Sequence, residues 1–107
     1  MSFFFSEPGA PPDNVRAWNT SSTSILVTWG EVPVDKQHGE ILRYGVSYWV
    51  TEEGSHGAKL FSSSTREVEL LDLAKYAYYS IRVSAATVKG DGPASDPVEV
   101  RTDEDSK

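Results

Sequence analysis

The chain has 107 residues, no cysteine, a net charge of −6 and a pI near 4.8. That length supports one domain. The acidic balance argues against a nucleic-acid-binding surface, and the missing thiols exclude disulfide frameworks, zinc–thiolate sites and iron–sulfur clusters. Apolar residues at 38% and charged residues at 24% describe a globular chain.

Met1-Ser2-Phe3-Phe4-Phe5 is apolar but too short for a signal-peptide core, and residues 1–10 read as a linker. From there the hydropathy alternates with period two, and no helical period is visible. Val15 and Ala17 mark a first strand, and Ile25, Val27 and Trp29 a second. Tyr44, Val46 and Tyr48 mark a third, and the short run Lys59-Leu60-Phe61 a fourth. Val68 and Leu70 follow, then the cleanest alternation, Tyr79-Ile81-Val83-Ala85, and last Val98 and Val100. Turn signals separate these segments: Asn19-Thr20-Ser21-Ser22, the stretch from Gly30 to Gly39, Glu53-Gly54-Ser55-His56-Gly57, Ser62-Ser63-Ser64 and Gly90-Asp91-Gly92-Pro93. Seven short antiparallel strands, each half-buried, make a β-sandwich. A parallel sheet would need crossover helices, and no segment carries their pattern. Residues 103–107 are polar and acidic and read as a solvated linker.

Several of these segments, taken in order, carry a family resemblance. Pro12 precedes Val15 and Ala17; Ser24-Ile25-Leu26-Val27-Thr28 ends on Trp29. Gly39-Glu40-Ile41 leads into Tyr44-Gly45-Val46-Ser47-Tyr48, and Leu73 stands six residues before Tyr79. Gly90-Asp91-Gly92-Pro93 opens the last hairpin, which runs on to Val98 and Val100. Over residues 11–102 the chain resembles a fibronectin type III domain, an immunoglobulin-like sandwich that needs no disulfide. The resemblance implies structural roles. Trp29, Tyr44, Val46, Ile81 and Val83 would fill the core. Tyr79 would form a tyrosine corner, its hydroxyl bonded to upstream backbone and covered by Leu73. Gly90 and Gly92 would allow positive φ in the hairpin, and Pro93 and Pro97 would protect an edge strand. Lys75 stands where the family often has proline.

No catalytic residue, metal ligand set or cofactor-binding motif is found. His38 and His56 fall in different loops and read as solvated; Glu52-Glu53 and Asp103-Glu104-Asp105 read as surface charge. Neither a nucleophile elbow nor a phosphate loop occurs.

Three features bear on function. Asn19-Thr20-Ser21 is an N-glycosylation acceptor sequence, placed in a turn. Lys89-Gly90-Asp91 resembles the charged triplet that integrin-binding members of the family display in this hairpin. Strand parity turns Trp49 and Tyr78 outward onto one face, with Arg43 and Arg82 further along it, and Trp, Tyr and Arg are the residues enriched at interface hot spots. Trp18 points outward on the first strand in the same way.

The resemblance implies a non-catalytic module of a multidomain adhesion molecule or receptor, in the extracellular part of a cell-surface protein. Its expected partners are proteins and neighbouring domains, not nucleic acid or a small-molecule substrate. The isolated domain is expected to be a monomer, tied to a membrane only through its parent chain. The competing readings are a structural module of an intracellular muscle or cytoskeletal giant, and an accessory spacer of a secreted enzyme.

Overall fold

The computed structural model describes residues 6–104. Two antiparallel sheets face each other. The first holds three strands in the order β1 (Arg16–Ser21), β2 (Ser24–Thr28) and β5 (Glu67–Leu70). The second holds β4 (Lys59–Ser63), β3 (Arg43–Val50) and β6 (Tyr78–Thr87), with both β7 (Gly90–Asp91) and β8 (Val98–Arg101) paired to β6.

Period-two alternation builds the core. Ile25, Val27, Val68 and Leu70 of the first sheet pack against Val46, Tyr79, Ile81 and Val83 of the second, with Trp29 and Leu73 closing the cluster. Each fully buried aliphatic side chain of this kind contributes about 1.5–3 kcal/mol relative to exposure. Tyr44 differs from the expected full burial: it is half-buried and packs on the cluster's rim, its ring edge-on to Trp29 at 5.5 Å and 63°. Burial raises its phenol above the ordinary 10.0; Arg66 opposes that shift and Glu31 adds to it. The Trp29 indole N–H is buried without an acceptor among the described residues.

The sandwich has eight strands where seven were expected, because the last one is broken. Between the pairs Ala86↔Asp91 and Ile81↔Val98, four residues of β6 face six of their partner. Pro93 and Pro97 lie in that interval and have no N–H to give the ladder. Ser95 bridges the gap, its N–H donating to Val83 O at 2.8 Å and its Oγ accepting from Val83 N at 3.0 Å.

The termini also differ from the expected linkers. Residues 1–5 lie outside the described residues, but 6–10 are built into the domain. Ser6 N donates to His38 O, Gly9 N to Lys36 O and Thr87 Oγ1 to Ser6 O, at 2.7–3.1 Å. Pro8 is almost fully buried. Its carbonyl lies so close to Gly92 that a Cβ there would stand 2.5 Å from it. Gly92 is therefore needed for close approach, whereas Gly90 does hold a positive φ of 129°. His38, read as a solvated loop residue, sits against this segment: its Nδ1 lies 3.2 Å from Glu7 O and 3.3 Å from Ser6 Oγ. At the other terminus, Asp103 is held in place. Tyr76 N donates to its carbonyl at 3.0 Å, and its own N–H reaches Ser21 O at 3.4 Å.

Candidate functional site

The ten residues of β6 organise the exposed face of the larger sheet. Tyr79, Ile81, Val83 and Ala85 point into the core, which turns Tyr78, Ser80, Arg82 and Ser84 outward. Register then fixes their neighbours: Trp49 lies opposite Ser80, Ser47 opposite Arg82, and Arg43 opposite Ala86. Trp49 and Tyr78 are thus diagonal neighbours on one face, separated by Ser80. Ser80 is itself buried and bonded through its hydroxyl to Thr51 at 2.8 Å.

Trp49 is half-buried, because Arg82 folds over its ring with the guanidinium 5.4 Å from the centroid. Such a cation–π contact contributes about 0.5–1 kcal/mol at an exposed site. Tyr78 is 52% exposed. Arg101, opposite it on β8, stacks 5.8 Å from the Tyr78 ring and 4.4 Å from that of Tyr76, whose hydroxyl accepts from Nη1 at 3.4 Å. Arg101 and Tyr76 were not foreseen. Parity from Val98 and Val100 turns Arg101 outward beside Tyr78, a signal present in the sequence; Tyr76 comes from a turn at φ 50°, which alternation does not read. Arg43 stands at the far end of the face, 3.7 Å from the Asp91 carboxylate. Trp18, on the opposite sheet, is 45% exposed.

The Lys89-Gly90-Asp91 triplet is not displayed at a loop tip. The two-residue turn is Val88–Lys89, while Gly90 and Asp91 already belong to β7, and Asp91 faces Arg43. Lys89 is exposed, with its backbone N–H on Thr87 Oγ1. Asn19 lies in strand β1, not in the expected turn, which is Ser22–Thr23; a register shift follows it between Asn19 and Ser21. Tyr79 Oη accepts from Ala74 N at 2.8 Å beneath the buried Leu73, which closes the corner between the two sheets.

A cleft of about 270 Å³ runs beside Trp49 and Val50, walled by Glu53, His56, Lys59 and Asp72. That is smaller than the roughly 300–1,000 Å³ of common small-ligand pockets. Among the described residues no group of three or more His, Asp or Glu side chains is arranged to hold a metal ion.

An antiparallel two-sheet sandwich with a tyrosine corner defines an immunoglobulin-like module. Residues 10–101 match the fibronectin type III domain, and the chain belongs to that family. It is 39% identical to receptor-type tyrosine-protein phosphatase F of Mus musculus over 103 residues, covering 94% of this chain and 5% of that protein. It is 36% identical to the cell adhesion molecule DSCAML1 of Mus musculus over 100 residues, covering 92% of this chain and 5% of the relative. The chain therefore spans about one-twentieth of these relatives' length. Among solved structures it resembles the FN5 domain of Drosophila Lar, with a TM-score of 0.72 and 32% identity over 90% of this chain and 97% of that one.

Proposed function

We propose that the chain is a non-catalytic spacing and protein-contact module in the extracellular part of a cell-surface adhesion molecule or receptor, spanning residues 11–102 with residues 6–10 and 103 docked onto it. The relatives support the setting: one is a receptor-type phosphatase and another a cell adhesion molecule. The observation that carries the contact role is the outer face of the five-stranded sheet. Trp49 and Tyr78 are held there with Arg82 and Arg101 stacked on them. These rigid aromatic bodies lose little conformational freedom on binding, and arginine adds planar hydrogen-bond donors that a partner's carboxylates can use.

The spacing role follows from where the chain arrives and leaves. Residues 6–10 dock beside Thr87 and residues 102–103 beside Ala77, at opposite ends of β6. Ten residues of strand place those ends about 30 Å apart. Neighbouring domains on either side would be held at that separation. Asn19 is the glycosylation acceptor in this reading.

The test is attachment of cells to the domain displayed at high density on beads. A Tyr78→Ser/Arg82→Glu double variant should lower attachment at least tenfold, since single hot spots are worth about 2 kcal/mol or more, while its melting temperature stays within a few degrees of the parent. Undiminished attachment by a folded double variant rejects this face as the contact.

A further inference from the structure

The Asn19 side chain engages the C-terminal end of the domain. Its Nδ2 donates to Arg101 O at 3.0 Å and to Asp103 Oδ1 at 2.8 Å. A primary amide has two N–H groups, and both are committed here. The first bond ties β1, on the edge of the three-stranded sheet, to β8 of the other sheet. The second is charge-assisted and holds the residue through which the chain leaves. Around it, Thr102 is fully buried, with its N–H on Ala77 O and its Oγ1 accepting from Ala77 N. Asp103 then links Ser21 and Tyr76. Up to Thr102 the course of the chain is fixed by burial. At Asp103, which is exposed, Asn19 supplies the only side chain bonded to its carboxylate among the described residues.

Asn19 is also the acceptor asparagine of Asn19-Thr20-Ser21. We propose that the unmodified Asn19 amide is a clasp that sets the direction in which the chain leaves the domain, and that N-glycosylation of the same nitrogen opens it. The second half rests on the extracellular reading above. Glycosylation from a lipid pyrophosphate-linked oligosaccharide forms the C1–Nδ2 bond and breaks the C1–O bond to the pyrophosphate. The lipid pyrophosphate leaves, and Nδ2 gives up one proton. One N–H remains, so at most one of the two bonds survives. Arg101 O is fixed in the backbone of β8, whereas the Asp103 carboxylate is carried by an exposed side chain that can swing away, so the sugar ring takes the carboxylate's place. The modified domain therefore keeps its sandwich but releases Asp103, giving any domain that follows more freedom of orientation.

The experiment is residue-resolved amide hydrogen exchange on the 107-residue chain, read at Tyr76 and Asp103, with Ile81 as the core reference. In unmodified protein, Asn19→Ala should speed exchange at Tyr76 and Asp103 about tenfold or more, the loss of two bonds of which one is charge-assisted, and leave Ile81 unchanged. Chain made in secretory cells and sorted by intact mass should show the same acceleration in its glycosylated fraction. Ser21→Ala, which deletes the acceptor sequence and keeps Asn19, should exchange slowly from the same cells. Slow exchange in Asn19→Ala overturns the clasp. Slow exchange in the glycosylated fraction overturns the opening. A chain that carries no sugar at all overturns the glycosylation reading, and the Asn19→Ala comparison still decides the clasp by itself.

Discussion

Tyr79→Phe isolates one hydrogen bond in the corner that joins the two sheets. The ring stays in the core, where Tyr79 is 6% exposed, so the apolar packing is preserved. What is lost is the acceptor for Ala74 N–H, now 2.8 Å away. An amide left wholly unsatisfied in a dry interior would cost about 1–3 kcal/mol. Ala74 is itself exposed, so its N–H can turn to water once the hydroxyl is gone. The expected loss is therefore about 1–2 kcal/mol. In a domain of this size each kcal/mol lowers Tm by about 4–8 °C. Urea denaturation should show a lower midpoint at unchanged m, the mark of altered stability rather than altered compactness. Tyr44→Phe is the control: its ring keeps its edge-on contact with Trp29, and the change should stay within about 0.5 kcal/mol. Equal losses in the two variants, or none at Tyr79, would refute the assignment of the corner's stabilising role to the Tyr79 hydroxyl.

Gly92→Ala places a Cβ against the Pro8 carbonyl, so residues 6–10 should lift from the domain; exchange at the Gly9 amide, now bonded to Lys36 O, should rise while the Val46 amide is unaffected. Stability should fall as pH rises above about 10. Tyr44 is raised by burial in the folded state, so the unfolded chain ionises first and gains. Below that pH both states are protonated and the contribution is complete. Tyr44→Phe should flatten the alkaline slope of a urea-midpoint series, and an identical slope would show that the shift does not couple to folding.

The strands were legible because alternation in a half-buried sheet is a local signal. Tyr79-Ile81-Val83-Ala85 reads the same way in sequence and in space. The outward placement of Trp49 and Tyr78 followed from the same parity, as did the position of Arg82 beyond them. The docking of residues 6–10 was not legible, because it depends on a pairing of Pro8 with Gly92 across the whole chain and has no periodicity of its own. The strand position of Asn19 is masked by the turn-like composition of Asn-Thr-Ser-Ser, although the Val15–Ala17 alternation continues through it. The split of the last strand was half visible in Pro93 and Pro97, whose missing N–H groups were read as edge protection. The way Ser95 substitutes for the ladder was not, since it depends on a side chain reaching Val83. Arg43 and Asp91 are far apart in sequence, and only the pairing of β6 with both β3 and β7 brings them together.

The most direct measurement is photo-crosslinking on living cells from a single introduced crosslinker in the bead-displayed domain. The crosslinker replaces Tyr78 on the outer face of the larger sheet or, as the comparison, Glu69 on the smaller sheet, where β5 turns it outward. Contact through the aromatic–arginine face requires a discrete protein adduct from position 78 that Arg82→Glu abolishes, and none from position 69. Adducts of equal yield from both positions, or an adduct from 69 alone, would contradict it.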